Sequence, residues 1–146
     1  MEHVAIQNKR YTFDNLETLP VLCRCNKRKD VPYEKVSPGD KIYIQSDGLI
    51  TVKATVLKVT LKEYDDINDI RNLCKGTKLY DGKNYWNDMK DRHYATVVRL
   101  ANHEDLSNRP IRPRKRSYGS SWIVMDSEQK RREWLEREGL RHIRKE

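Results

Sequence analysis

The chain has 146 residues, with 30 lysines and arginines against 22 acids, a formal net charge of +8 and a pI near 9.4. That length predicts one domain, 1–146, able to bury most of its apolar surface unaided. Apolar and charged residues each make up 36%. No apolar run approaches the ~20 residues of a membrane span, and the apolar residues gather in runs such as Ile50–Val59 and Ala95–Leu100, which excludes a globally disordered chain.

Taken in chain order, His3–Ile6 predicts a strand. Thr12 offers an N-cap for a short helix, Phe13–Leu19, which Pro20 closes. Val21–Cys25 alternates apolar and polar residues and predicts another strand. Asn26–Lys35 is a polar, basic loop with a turn at Pro32. Val36-Ser37-Pro38-Gly39-Asp40 is a turn, because proline presets φ and glycine supplies the left-handed residue. Lys41–Gln45 follows as a strand, and Asp47-Gly48 closes a hairpin onto a return strand, Ile50–Thr60. The alternation Ile50, Val52, Ala54, Val56 slips at Leu57, which predicts a bulge or a barrel corner. Asp65 or Asp66 caps a helix running to Cys74, with Ile67, Ile70 and Leu73 on its apolar stripe and Gly76 at C′. Thr77–Lys83 reads as a loop, Tyr85–Arg92 as a short helix and Tyr94–Ala101 as a strand. Asn102–Gly119 has no periodicity and reads as a long connection, a kind of segment that tends to be functional. Ser120–Met125 is the final strand. Asp126 caps the last helix, 127–138, with Gln129 at N3, and a charged tail follows. Five or six short strands with three or four short helices, and no βαβ repetition, predict an α+β fold.

The segment Val36-Ser37-Pro38-Gly39-Asp40-Lys41-Ile42-Tyr43-Ile44 and the return strand Val52-Lys53-Ala54-Thr55-Val56-Leu57-Lys58-Val59 resemble the PUA-like superfamily, which includes the PUA, ASCH, EVE and YTH domains. Its members carry a Pro-Gly-Asp turn into a core strand, then a strand of the form A-x-V-x-x-V. The strands at Tyr94–Ala101 and Ser120-Ser121-Trp122 sit where such folds place their closing strands. The resemblance implies a mixed β pseudo-barrel of five to six strands with short peripheral helices. It also implies a cleft that receives RNA or a modified base. Some ASCH members are small amidohydrolases acting on acetylated cytidine through a threonine, a lysine and a glutamate. Lys9, Thr12 and Glu17 are the residues of this chain nearest that description, but their spacing does not reproduce a matched motif. The alternative that follows from the resemblance is a small amidohydrolase or ribonuclease.

Charge is segregated. Arg109, Arg112, Arg114, Lys115 and Arg116 fall in one stretch without an acid, and Arg24, Lys27, Arg28 and Lys29 form a second cluster. Arginine forks match phosphate and stack on bases. Ser117, Ser120 and Ser121 add hydrogen-bonding groups, and Tyr118 and Trp122 offer a stacking surface beside the charge, as single-stranded ligands require. Tyr85 and Trp86 read either as a base-binding wall or as the packed face of a short helix, and Trp122 likewise reads as stacking surface or core. His93 and His103 read as surface histidines. Cys23, Cys25 and Cys74, an odd count without dense spacing, predict free thiols, a reducing compartment and a cytoplasmic location. No metal motif, phosphate-cradling glycine loop or serine-hydrolase elbow is present. The expectation is a module that binds RNA or a nucleotide, with no cofactor and no obligate protein partner.

Overall fold

The computed structural model describes residues 1–8, 11, 14–117 and 119–137. Six strands form one mixed sheet. They are β1 (Glu2–Ile6), β2 (Val21–Asn26), β3 (Lys41–Ser46), β4 (Leu49–Glu63), β5 (Tyr94–Asp105) and β6 (Trp122–Val124), in the order β2-β5-β4-β3-β1-β6. β1 pairs with β3 in parallel, and the other pairings are antiparallel. The sheet curls into a half-barrel, as expected of a small mixed pseudo-barrel, and β2 and β6 are its two edges. Among the described residues, three short α-helices surround it: α1 (Ile67–Arg71), α2 (Lys83–Met89) and α3 (Glu128–Leu135).

The turn at Pro38-Gly39 forms as predicted, with Gly39 at φ 92°, and it launches β3. Asp47 and Gly48 both take positive φ, the pair that a tight hairpin with native strand twist needs. The slip at Leu57 is a bulge. Val56 faces Leu100 and Lys58 faces Arg99, so Leu57 is the extra residue and is 64% exposed. A second irregularity lies nearby, where Asn102 at φ 52° gives β5 its own surplus residue between the Ala101 and Glu104 pairings.

Several elements differ from expectation. The helix predicted over Phe13–Leu19 is a single 3-10 turn, Leu16–Thr18, because Pro20 and the start of β2 leave no room to continue; Thr12 and Phe13 lie outside the described residues. Within Thr77–Lys83, predicted as a loop, Thr77 caps a 3-10 turn at Lys78–Asp81. β5 runs on to Asp105 because Lys53 and Val52 supply partners for Glu104 and Asp105. The last helix is capped by Ser127, not Asp126. The Ser127 side chain accepts the Lys130 N–H (3.1 Å), and Glu136 turns extended, so α3 stops short of the predicted end.

Strand alternation divides the core. Leu22, Ile42, Ile44, Val52, Val56, Val98 and Trp122 fill the inside of the curl. The opposite face of β2 and β5, with Cys23, Cys25 and Val97, packs under α1 and α2 through Ile70, Cys74, Tyr85 and Trp86. α3 lays Trp134 and Leu135 on Val4, Tyr43, Ile50, Ile111 and Met125. Among the described residues, no helix is long and apolar enough to cross a membrane.

Candidate ligand cleft and basic loop

The curl leaves a gap between the β2 edge and the end of β1, and there a cleft of about 520 Å³ opens, rimmed by Gly119, Ser120 and Ser121 and backed by α2. Its wall includes Gln7, Arg24, Asn26, Tyr85 and Arg92. β2 places Arg24 and Asn26 there. A sheet-edge strand has carbonyls with no neighbouring strand to bond, and side chains take that role here. The Arg24 guanidinium donates from Nη1 to Cys23 O (3.1 Å), and from Nη2 to Ile6 O (2.9 Å) and Gln7 Oε1 (2.8 Å), so it bridges the two sides of the gap. Arg92 Nη1 donates to Cys25 O (2.9 Å), and the Tyr85 hydroxyl donates to Cys23 O (2.8 Å).

Among the described residues, three hydrogen-bonding atoms of this wall are buried without a partner: Arg24 Nε, Arg92 Nε and Asn26 Oδ1. Such atoms are rare in folded proteins and costly when left unmet. Burial also pulls the Arg24 guanidinium below its ordinary range. Tyr85 stands edge-on to Tyr11 (centroids 5.0 Å apart), and burial raises its phenol well above the usual value, so it remains a neutral donor. The Cys25 thiol hydrogen-bonds Cys23 (4.0 Å), and that bond and burial push it up. The three cysteines are buried free thiols rather than poised nucleophiles. Among the described residues, no group of His, Cys, Asp and Glu is arranged to hold a metal.

The predicted site residues separate into three places. Ser120, Ser121 and Tyr85 line the cleft. Trp122 and Trp86 are 2% and 3% exposed and belong to the core. The Trp122 indole donates to His3 Nδ1 (3.1 Å), and that of Trp86 to Leu79 O (2.8 Å). Neither is a stacking surface. Arg109, Arg112, Arg114, Lys115 and Arg116 form an exposed loop, and Lys27 and Arg28 are exposed beyond β2. Ser117 donates to Ser120 O (2.7 Å) and so shapes the approach to the rim. Glu17 is exposed on its 3-10 turn and does not line the cleft. Lys9, Thr12 and Tyr118 lie outside the described residues. His93 is exposed, and His103 hydrogen-bonds Leu19 O (2.6 Å). Reasoning from sequence missed Arg92 and Asn26, and placed Arg24 with the loop cations. The trace that Arg24 leaves in the sequence is its place as the polar residue between two cysteines on a predicted strand.

The basic loop is only partly free. Arg114 pairs with Glu136 (3.2 Å) and Lys115 with Glu133 (3.7 Å), whereas Arg112 and Arg116 have no ion pair among the described residues. A wider groove of about 820 Å³ under α3 also holds cations. Three of them pair with acids, Arg131 with Glu2 (2.7 Å), Arg132 with Glu128 (3.8 Å) and Arg114 with Glu136, while Lys53 lies over the Tyr43 ring and Arg137 donates to Arg109 O. The smaller cleft differs from this groove in its buried donors without partners among the described residues.

The chain is similar in fold to solved ASCH structures from Zymomonas mobilis. The ASCH protein itself matches with a TM-score of 0.58 and 14% identity, over 99% of this chain and 94% of that one. Its serine-to-alanine mutant gives 0.59, with the same identity and coverage. Its tyrosine-to-phenylalanine mutant gives 0.58 at 14% identity, over 99% of this chain and 96% of that one. No family model and no curated protein matches the chain. The fold is that of the ASCH structures, and at this identity the likeness is one of fold alone.

Proposed function

We propose that this chain binds single-stranded RNA or a nucleotide, with one nucleotide seated in the cleft beside β2 and the Arg109–Arg116 loop meeting the phosphates that lead away from it. The observation that carries this reading is the set of buried, unmet donors and acceptor on Arg24, Arg92 and Asn26, in a cleft of about 520 Å³ that also holds Tyr11 and Tyr85. A nucleotide offers what that wall lacks: oxygen acceptors for guanidinium groups, a base or sugar hydrogen for the amide oxygen, and a flat face for an aromatic ring. The net charge of +8 favours any polyanion. Arg112 and Arg116, exposed on the loop and without an ion pair among the described residues, are the residues best placed to use it. Titration of labelled single-stranded RNA at two salt concentrations tests the reading. Binding that weakens as salt rises is expected, with log K falling by roughly 0.7 per phosphate neutralised for each tenfold rise in salt. Absence of binding at low salt overturns it.

A further inference from the structure

The two arginines of the cleft are held in a way that specifies their ligand. Each is tied by Nη1 to a carbonyl of the β2 edge, Arg24 to Cys23 O and Arg92 to Cys25 O. Those carbonyls lie two residues apart on one strand, a separation of roughly 7 Å at about 3.4 Å per residue. The two guanidinium groups are therefore anchored at neighbouring points of one strand edge, and both line the cleft. The unused donors complete the description. Arg24 employs Nη2 on Ile6 and Gln7 and keeps a buried, unpartnered Nε. Arg92 makes no hydrogen bond through Nη2 among the described residues and keeps a buried Nε beside it, and these two form the side-on fork that takes an oxyanion once the guanidinium turns toward the cleft. Neither guanidinium is paired with a carboxylate among the described residues. Asp30 lines the cleft but is exposed and forms no ion pair with either, and Asp88 accepts from the Tyr11 hydroxyl (3.0 Å). Two half-buried guanidinium groups in one cleft without a carboxylate between them leave an excess of positive charge that a bound anion balances.

We propose that the cleft holds a phosphomonoester, the terminal phosphate of a free nucleotide or of an RNA end, between Arg24 and Arg92. Charge decides for a monoester over an internal diester. Two guanidinium groups face the site, and a phosphomonoester carries about −1.5 to −2 near neutral pH. Asn26 Oδ1 takes a hydroxyl or amino hydrogen of the same ligand. The inference rests on the nucleotide reading for the site's occupant, but the two can fail separately.

The test follows the arginine Nε–Hε signals of the isotope-labelled protein while adenosine, adenosine 5′-monophosphate, adenosine 3′-monophosphate and inorganic phosphate are titrated in turn. At least one monophosphate is expected to bind roughly tenfold to a hundredfold tighter than adenosine, the worth of one or two charge-assisted hydrogen bonds. It should shift the Nε–Hε signals of both Arg24 and Arg92, and inorganic phosphate should move the same signals at higher concentration. Arg92→Gln should remove the preference for the monophosphate while leaving the fold intact by circular dichroism. Arg24→Gln should do the same, and Arg92→Gln decides alone if the Arg24 variant does not fold. Monophosphates that bind no tighter than adenosine, or Nε–Hε signals that stay unmoved, overturn the proposal, and movement by inorganic phosphate alone marks an adventitious anion site. RNA strands that bind equally with and without a terminal phosphate, together with monophosphates that bind no tighter than adenosine, defeat this inference and leave the RNA reading standing. A phosphate response without any RNA binding does the reverse.

Discussion

His3 is 0% exposed, and its ring is committed at both nitrogens. The Trp122 indole only donates, so the Nδ1 that it reaches at 3.1 Å carries no proton. Nε2 therefore holds the hydrogen and donates to Asp40 Oδ2 at 2.8 Å. Burial lowers the His3 pKa below 6.5, against the opposing pull of the Asp40 carboxylate. As pH falls through 6.5, the unfolded chain gains a proton that the folded chain refuses, so stability is present above that pH and declines below it. Asp40 acts lower on the scale. Burial raises its pKa, but hydrogen bonds from His3 and the Ser37 N–H outweigh that and hold it below 3.8. Its contribution is lost as pH falls from about 3.8 toward its folded value. The melting temperature should thus be level near neutral pH, decline below 6.5, and decline again below about 4. Trp122→Phe frees Nδ1 to accept a proton. That variant should lose about 1–3 kcal/mol near neutral pH yet show a shallower decline just below pH 6.5; an unchanged slope in thermal melts rejects the tautomer argument. None of this was legible beforehand. A tryptophan entering an apolar strand reads equally as stacking surface or as core, and the partner that decides is 119 positions away.

At the scale of elements, α3 governs how much of the basic loop reaches solvent. The backbone N–H groups of Arg114 and Lys115 both reach Glu133 O, at 2.9 and 3.3 Å, and the Arg137 guanidinium donates twice to Arg109 O. Glu133 and Glu136 then neutralise Lys115 and Arg114. The mixed charges of this helix predict pairs within it, and Lys130–Asp126 and Arg132–Glu128 do form that way. The acids of the last turn face the loop instead, a long-range choice that helical spacing does not encode. The double change Glu133→Gln with Glu136→Gln should free two cations at little cost in stability, since partly exposed pairs contribute at most about 1 kcal/mol each. RNA affinity at low salt should rise, and the slope of log K against log salt should steepen by up to about 1.4. Arg112→Ala and Arg116→Ala should each flatten it by about 0.7. Equal slopes across the set, measured by anisotropy titration, dismiss the loop as a phosphate contact. By contrast, the bulge of β4 was readable in advance, because a break in two-residue alternation is a local signal and Leu57 sits on it.

The whole molecule is a sheet that does not close, and Arg24 spans the opening. The strand order and the curl follow from patterns that the sequence displays: the Pro-Gly-Asp turn, the Asp-Gly hairpin and alternating apolar runs. The cleft does not, because it exists only once β2 and the end of β1, 18 positions apart at the Arg24–Ile6 contact, come together around one guanidinium. On a strand, Arg24 reads only as the polar residue between two apolar ones. The bridge makes a specific demand on geometry, since a planar fork reaches Cys23 O, Ile6 O and Gln7 Oε1 at once and a lysine ammonium cannot. Arg24→Lys preserves charge and much of the length but releases one side of the opening. It should cost about 1–3 kcal/mol, the penalty for carbonyls left without their donor. The loss should also be local. Hydrogen exchange should quicken in β2 and at the end of β1, while the β3–β4 hairpin on the far side of the sheet keeps its protection. Exchange that quickens uniformly, or not at all, assigns the closure of the half-barrel to packing alone and leaves Arg24 as a ligand donor without a structural part.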